Sequence, residues 1–177
     1  MLIRPSLPDD MAQVTAIYHH AVVHGSASFE IDPPDANEMI RRRDALVGAG
    51  FPYLVADEGG LICGYAYIGP YRPRAAYRFA VEDSIYIHPD HHGRGIGTLL
   101  LGALIREAET MGFRQMIGVI GDSRSHGSMA LHRKHGFSQI GIAQSVGFKH
   151  GRWLDQVLMQ RRLGDGDTSL PDETPKD

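Results

Sequence analysis

The chain has one cysteine, one tryptophan and no long apolar run, and each scarcity removes a class of protein. A lone thiol, Cys63, can form neither an internal disulfide nor a cysteine zinc site. Within the alternating stretch LICGYAYIG it is expected to be a buried strand residue. No segment approaches the ~20 apolar residues of a membrane span. The opening MLIRPSLPDD lacks the apolar core of a secretory signal, so the cytoplasm is the expected compartment and no membrane partner is expected. Positive charge is also short: 18 Lys and Arg against 21 Asp and Glu leave a net charge of −3, which gives no general attraction to nucleic acid. The run Arg41, Arg42, Arg43 lies between Glu38 and Asp44 and is expected to be a solvated helix face. Histidine is plentiful, with ten residues, and HPDHH invites a metal. No His-Glu-x-x-His or cysteine pair accompanies it, so no metal site is expected.

At 177 residues the chain suits one domain, expected over 1–163, followed by a polar tail over 164–177 whose acids, Pro and Gly predict disorder. A short strand is expected at 1–5, then a helix through PDDMAQVTAIYHHAVV with Met11, Val14, Ile17, Ala21 and Val22 on one face. Asp35 is placed to cap a second helix, with Glu38 three residues on and Gly48 and Gly50 as a stop. Two strands joined at Glu58, Gly59 and Gly60 predict a hairpin. A further strand, VEDSIYIH, leads into a long helix ending near Gly112. The strand RQMIGVIG, a short helix SMALHRKHG and two strands around GIAQSVGF and RWLDQVLMQ follow. This order predicts an α/β fold, a mixed sheet with helices on both faces.

The chemistry starts at HPDHHGRGIGTLLLGAL. Glycines at 93, 95 and 97 precede an apolar helical pattern, and a glycine turn that opens a helix leaves backbone N–H groups free for an anion such as a phosphate. A plain helix-entry turn is the other reading. A dinucleotide fingerprint would need glycine where Leu100 stands, and a nucleotide P-loop would need a Gly-Lys-Ser/Thr ending. The spacing from His92 through Gly95 to Gly97 resembles the Gln/Arg-x-x-Gly-x-Gly/Ala turn of the GNAT superfamily of N-acetyltransferases. SMALHRKHGF resembles that family's later helix. SFE, YAYIGPYRPRAAYRFAVEDSIYI and VGFKHGRWLD resemble the branch containing phosphinothricin and methionine sulfoximine/sulfone acetyltransferases.

The resemblance covers about 1–163 and implies the GNAT acyl-CoA N-acyltransferase fold, with acetyl-CoA as co-substrate and a small amino-acid-like amine as acceptor. It implies a cofactor site at Ile85, Tyr86, Ile87 and His88, at the turn His92, Gly93, Arg94, Gly95, Ile96, Gly97 and Thr98, and at Ser125 and Ser128. His92 replaces the family's usual Gln or Arg, and Ser125 a usual Asn. An amine acceptor has to lose a proton before it attacks, so a base contributes to rate. Glu82, opening its strand, is the candidate, with an ordinary strand-end acid as the other reading. His132 stands where many relatives have Tyr near the thioester sulfur, as proton donor or sulfur contact, or else as a helix-packing histidine. Guanidinium forks suit carboxylates and phosphinates, which points to Arg72 and Arg74 with Ala75, Ala76 and Tyr77 of the same loop. Phe29 and Glu30 are expected to close the acceptor pocket. A homodimer is the family's usual assembly. An acetyltransferase for another amine (a polyamine, an antibiotic or a protein N-terminus), and a non-catalytic acyl-CoA-binding module, are the alternatives.

Overall fold

A computed structural model describes residues 1–171. Along the chain come β1 (Leu2–Pro5), α1 (Met11–His24), α2 (Ala36–Gly48), β2 (Tyr53–Glu58), β3 (Leu61–Pro70), β4 (Ala80–Ile87), α3 (Ile96–Thr110), β5 (Gln115–Ile120), α4 (His126–Lys134), β6 (Ser138–Lys149) and β7 (Arg152–Arg162). The strands form one sheet in the order β1-β2-β3-β4-β5-β7-β6. All neighbours are antiparallel except β4 and β5, which run parallel. The mixed sheet with helices on both faces is therefore the observed architecture.

Side chains alternate across a strand, so β4 serves two layers. Val81 and Ile85 meet the α3 and α4 side, among Leu100, Leu104 and Met129. Tyr86 meets the α1 and α2 side, among Val14, Met39 and Tyr65. α1 packs through Met11, Val14, Ile17, Tyr18 and Val22, a helical spacing that leaves Ala21 only half-buried. α2 starts where its sequence predicts, because the Asp35 side chain accepts the Glu38 N–H at 2.8 Å. Glu38 does not reach back to close a capping box; Arg41 and Arg42 take its carboxylate at 2.7 Å. Arg43 departs from the expected solvated face. It turns inward and donates from Nε to Ser6 Oγ at 2.8 Å and from a terminal nitrogen to the Ser6 carbonyl at 2.5 Å. Cys63 is buried in β3, as expected.

In the segment after β7, residues 164–167 form a turn, with the Gly166 N–H on the Leu163 carbonyl at 2.9 Å, and Arg114 reaches Ser169 Oγ at 3.0 Å and the Leu170 carbonyl at 3.3 Å. Arg162 adds an ion pair to Asp167 at 3.1 Å. The rest of the tail, 172–177, lies outside the described residues.

The one parallel pair is short. β4 and β5 hold each other only from Ala80 with Gln115 to Asp83 with Gly118. Beyond that, β4 continues to Ile87 beside β3, and β5 continues to Ile120 beside β7. The sheet is split past Asp83, and the β4 edge from Ser84 onward has no strand partner on that side.

Candidate active site

A cavity of about 260 Å³ occupies this split. Glu82 enters it from the α1 and α2 side and His132 of α4 from the other, so the two proposed catalytic residues share one space although they belong to opposite layers. Glu82 is half-buried, and its carboxyl is pushed up to about 6 by burial and by neighbouring Asp83, with Arg72 partly offsetting them. His132 is buried, with Nδ1 2.8 Å from the Ser128 carbonyl oxygen and Nε2 3.1 Å from Asp83 Oδ2. Burial pulls its pKa down, but the bond to Asp83 and the charge of that carboxylate outweigh it, and the ring ends above its ordinary value. Gly118 is required beside it: a Cβ there would sit 2.7 Å from His132 Cδ2.

The small cavity opens into a cleft of about 720 Å³. The N-termini of α3 and α4 both border this cleft, through Gly95, Ile96, Gly97 and Thr98 on one and Ser125, Gly127 and Ser128 on the other. First-turn amides have no intrahelical acceptor, so two positive helix ends face one space. Gly93 and Gly95 adopt left-handed φ of 76° and 78°, and nothing lies within 4 Å of a Cβ at either, which leaves an open backbone cradle. Gly97 serves packing instead, with Leu131 Cδ2 3.0 Å from where its Cβ would be.

Of the residues expected at the cofactor, Ile85, Tyr86, Ile87, His92, Gly93, Gly95, Ile96, Gly97, Thr98, Ser125 and Ser128 line the cleft. Arg94 and His88 do not. Arg94 donates to both oxygens of Glu58 at 2.9 Å and binds His91 Nδ1 at 2.5 Å, which ties the glycine turn to the β2–β3 hairpin. His88 uses its Nδ1 to accept the Asp90 N–H at 3.2 Å. Glu58, Cys63 and His91 bring three potential metal ligands within 4.8 Å of one another, but Arg94 already lies on two of them as their cation.

Of the residues expected at the acceptor, Phe29 lines the small cavity. Its ring sits against two glycines: a Cβ at Gly121 would come 3.1 Å from it, and one at Gly147 would come 2.4 Å from it. The loop carrying it is further held by Lys149, whose buried Nζ donates to the Ser28 carbonyl at 2.7 Å, and by Tyr18, whose hydroxyl lies 2.9 Å from Ser28 Oγ. Glu30 points away, accepting from Arg42 at 2.7 Å. Arg72, Arg74, Ala75, Ala76 and Tyr77 are exposed and line neither cavity. Their loop joins β3 to β4, and from it Arg72, which lies over the Tyr71 ring at 5.0 Å, acts through its charge on Glu82.

Sequence reasoning did not single out Asp83, Ser84 or the glycines under Phe29. For Gly121 and Gly147 a signal existed, since isolated glycine in a strand pattern marks a close approach. For Asp83 none did, because its partner lies 49 residues away.

The sequence model of the Acetyltransferase (GNAT) family matches residues 14–137. The chain belongs to this family. It is 52% identical over 170 residues to a phosphinothricin N-acetyltransferase of Alcaligenes faecalis, covering 96% of this chain and 86% of that one. It is 39% identical over 163 residues to an L-methionine sulfoximine/L-methionine sulfone acetyltransferase of Salmonella typhimurium, covering 92% and 95%. Among solved GNAT structures, a phosphinothricin acetyltransferase from Sinorhizobium meliloti in complex with AcCoA superposes with a TM-score of 0.94 at 47% identity, covering 97% of this chain and 93% of that one. Among the described residues, no helix is long and apolar enough to cross a membrane.

The Phe29 seat makes a prediction. Gly147→Ala should lower stability by about 1–3 kcal/mol through overpacking, read as a fall in Tm of several degrees. Gly141→Ala on the same strand, with nothing within 4 Å of its Cβ, should leave Tm nearly unchanged.

Proposed function

We propose that this chain transfers the acetyl group of acetyl-CoA directly to the α-amino group of a small amino-acid analogue such as L-phosphinothricin or L-methionine sulfoximine. The observation that carries the reading is the meeting of Glu82 and His132 in one cavity, in continuity with a cleft edged by two helix N-termini and an open glycine turn. The relatives named above support the choice of acceptor.

The cleft suits a ligand with a pyrophosphate and a long amide-bearing arm. The amides of the glycine turn and of the α3 and α4 first turns would hold the phosphates. The free β4 edge from Ser84 to Ile87 offers strand-like hydrogen bonds to the arm. Acetyl-CoA supplies the thioester. Glu82, poised at about 6, is mostly ionised at neutral pH and takes the proton the ammonium must lose, directly or through one water. The amine nitrogen then bonds the acetyl carbon; as the tetrahedral adduct collapses the carbon–sulfur bond breaks, His132 meets the negative charge left on sulfur, and the second proton lost by nitrogen passes to the departing thiolate, giving the amide and free CoA thiol. Cys63 lines neither cavity, so direct transfer needs no acetylated cysteine. Phe29 bounds the acceptor's side chain. Arg72 and Arg74 would meet its second anionic group from the β3–β4 loop, which requires that loop to fold inward on binding.

The assembly we propose is a homodimer. Ile140, Ile142, Val146, Phe148 and Trp153 are 45–63% exposed along β6 and β7, an apolar band of the kind a second copy covers. The compartment we propose is the cytoplasm. Sedimentation velocity should give twice the chain mass; a monomer at micromolar concentration would refute the dimer.

Thiol release from acetyl-CoA, corrected for hydrolysis without acceptor, should reach a kcat/KM of about 10⁴ M⁻¹s⁻¹ or more with L-phosphinothricin or L-methionine sulfoximine. Failure with both, in protein that binds acetyl-CoA, would discard these acceptors. Glu82→Gln should lower kcat roughly a hundredfold. The wild-type rate should fall as pH drops through about 6, where Glu82 gains its proton, and the variant should lose that limb. Unchanged turnover in Glu82→Gln would remove Glu82 as the base.

A further inference from the structure

We infer that Asp83 is a positioning residue that holds His132 as an imidazolium with both N–H groups committed, so that what His132 offers the cavity is its positive charge. The inference rests on the acetyltransferase reading for its purpose but not for its geometry. Both ring nitrogens face atoms that only accept: the Ser128 carbonyl at 2.8 Å and Asp83 Oδ2 at 3.1 Å. A neutral imidazole carries one N–H, and its bare nitrogen would then face an oxygen lone pair. An imidazolium satisfies both contacts.

The other half of the argument lies on Asp83. It is buried, and its second oxygen, Oδ1, is enclosed with no hydrogen-bond partner. A buried carboxylate needs a counter-charge, and His132 is the side chain that reaches this one. The groups around the ring come from every element packed on it. β4 contributes Asp83 and, facing the other layer, Glu82. β5 contributes Gly118, whose lack of a side chain admits the ring. The Phe137 ring stands edge-on at 5.0 Å, and α4 itself adds the Ser128 carbonyl and, past its end, His135. Of these, the Asp83 carboxylate favours the charged ring. A fixed cation on the side where a thiolate departs stabilises that charge without moving.

The ring's charge can be read without any reaction. Long-range ¹H–¹⁵N spectra of ¹⁵N-histidine-labelled, ligand-free protein, with His132 assigned by its loss in His132→Gln, should show both ring nitrogens protonated at pH 7. Deprotonation should come only at a pH above that of an ordinary histidine. Asp83→Asn keeps the shape and removes the charge, so its His132 should be a neutral tautomer at pH 7, and its kcat should fall at least tenfold with the KM for acetyl-CoA within about twofold. A neutral His132 in the wild-type protein at pH 7, or a titration unmoved in Asp83→Asn, overturns the inference. Should Asp83→Asn fail to fold, the wild-type spectrum alone decides. A protein inactive toward every amine would sink the acetyltransferase reading while leaving this charge state measurable.

Discussion

The contact between Asp83 and His132 stands at the point where β4 and β5 stop pairing, and the rest of the site depends on that point. Two parallel strands that continued in register would close the sheet, and Glu82 would then lie in one layer with no access to the other. Here the last pair is Asp83 with Gly118, and the imidazole fills the place where a β5 side chain would stand. A helix residue thus wedges the split, and a missing Cβ admits the wedge. α4 accordingly packs against β5 through His132 at Gly118.

The cleft beyond the split adds backbone donors to polar side chains such as His92, Thr98, Ser128 and Lys134. Two helix N-termini and a left-handed glycine turn supply fixed N–H groups that need no reorganisation when an anion arrives. Arg94 might have been expected to supply charge there. It instead braces the turn against Glu58, and that rigidity has its own use, because a preformed cradle loses less entropy on binding. The Phe29 wall of the small cavity is built differently, from one aromatic ring resting on strand glycines and from a loop pinned by a buried lysine.

Local rules were readable in the sequence where local physics decides. Asp35 caps α2, the glycine turn opens α3, and hydrophobic spacing marks α1 and α3. Glu82 and His132 were legible only through resemblance, since neither the spacing of VEDS nor that of LHRK says that the two meet. Their meeting requires the split, and the split is a property of two strands separated by α3. Parity along β4 does say that Glu82 and Asp83 face opposite layers, but not which layer holds a histidine. Arg43 and Arg114 escaped for a related reason: each is tied to atoms 37 or more residues away, so composition sees only a charge.

The Phe29 loop lies between α1 and α2, whereas the cradle lies in the later half of the chain, around α3 and α4. Ala27 of that loop nevertheless borders both spaces, so the early loop and the later half of the chain meet over the split. Resizing the loop would reshape the small cavity at Phe29 and the adjoining part of the cleft together, and would leave the glycine turn and the two helix N-termini where they are.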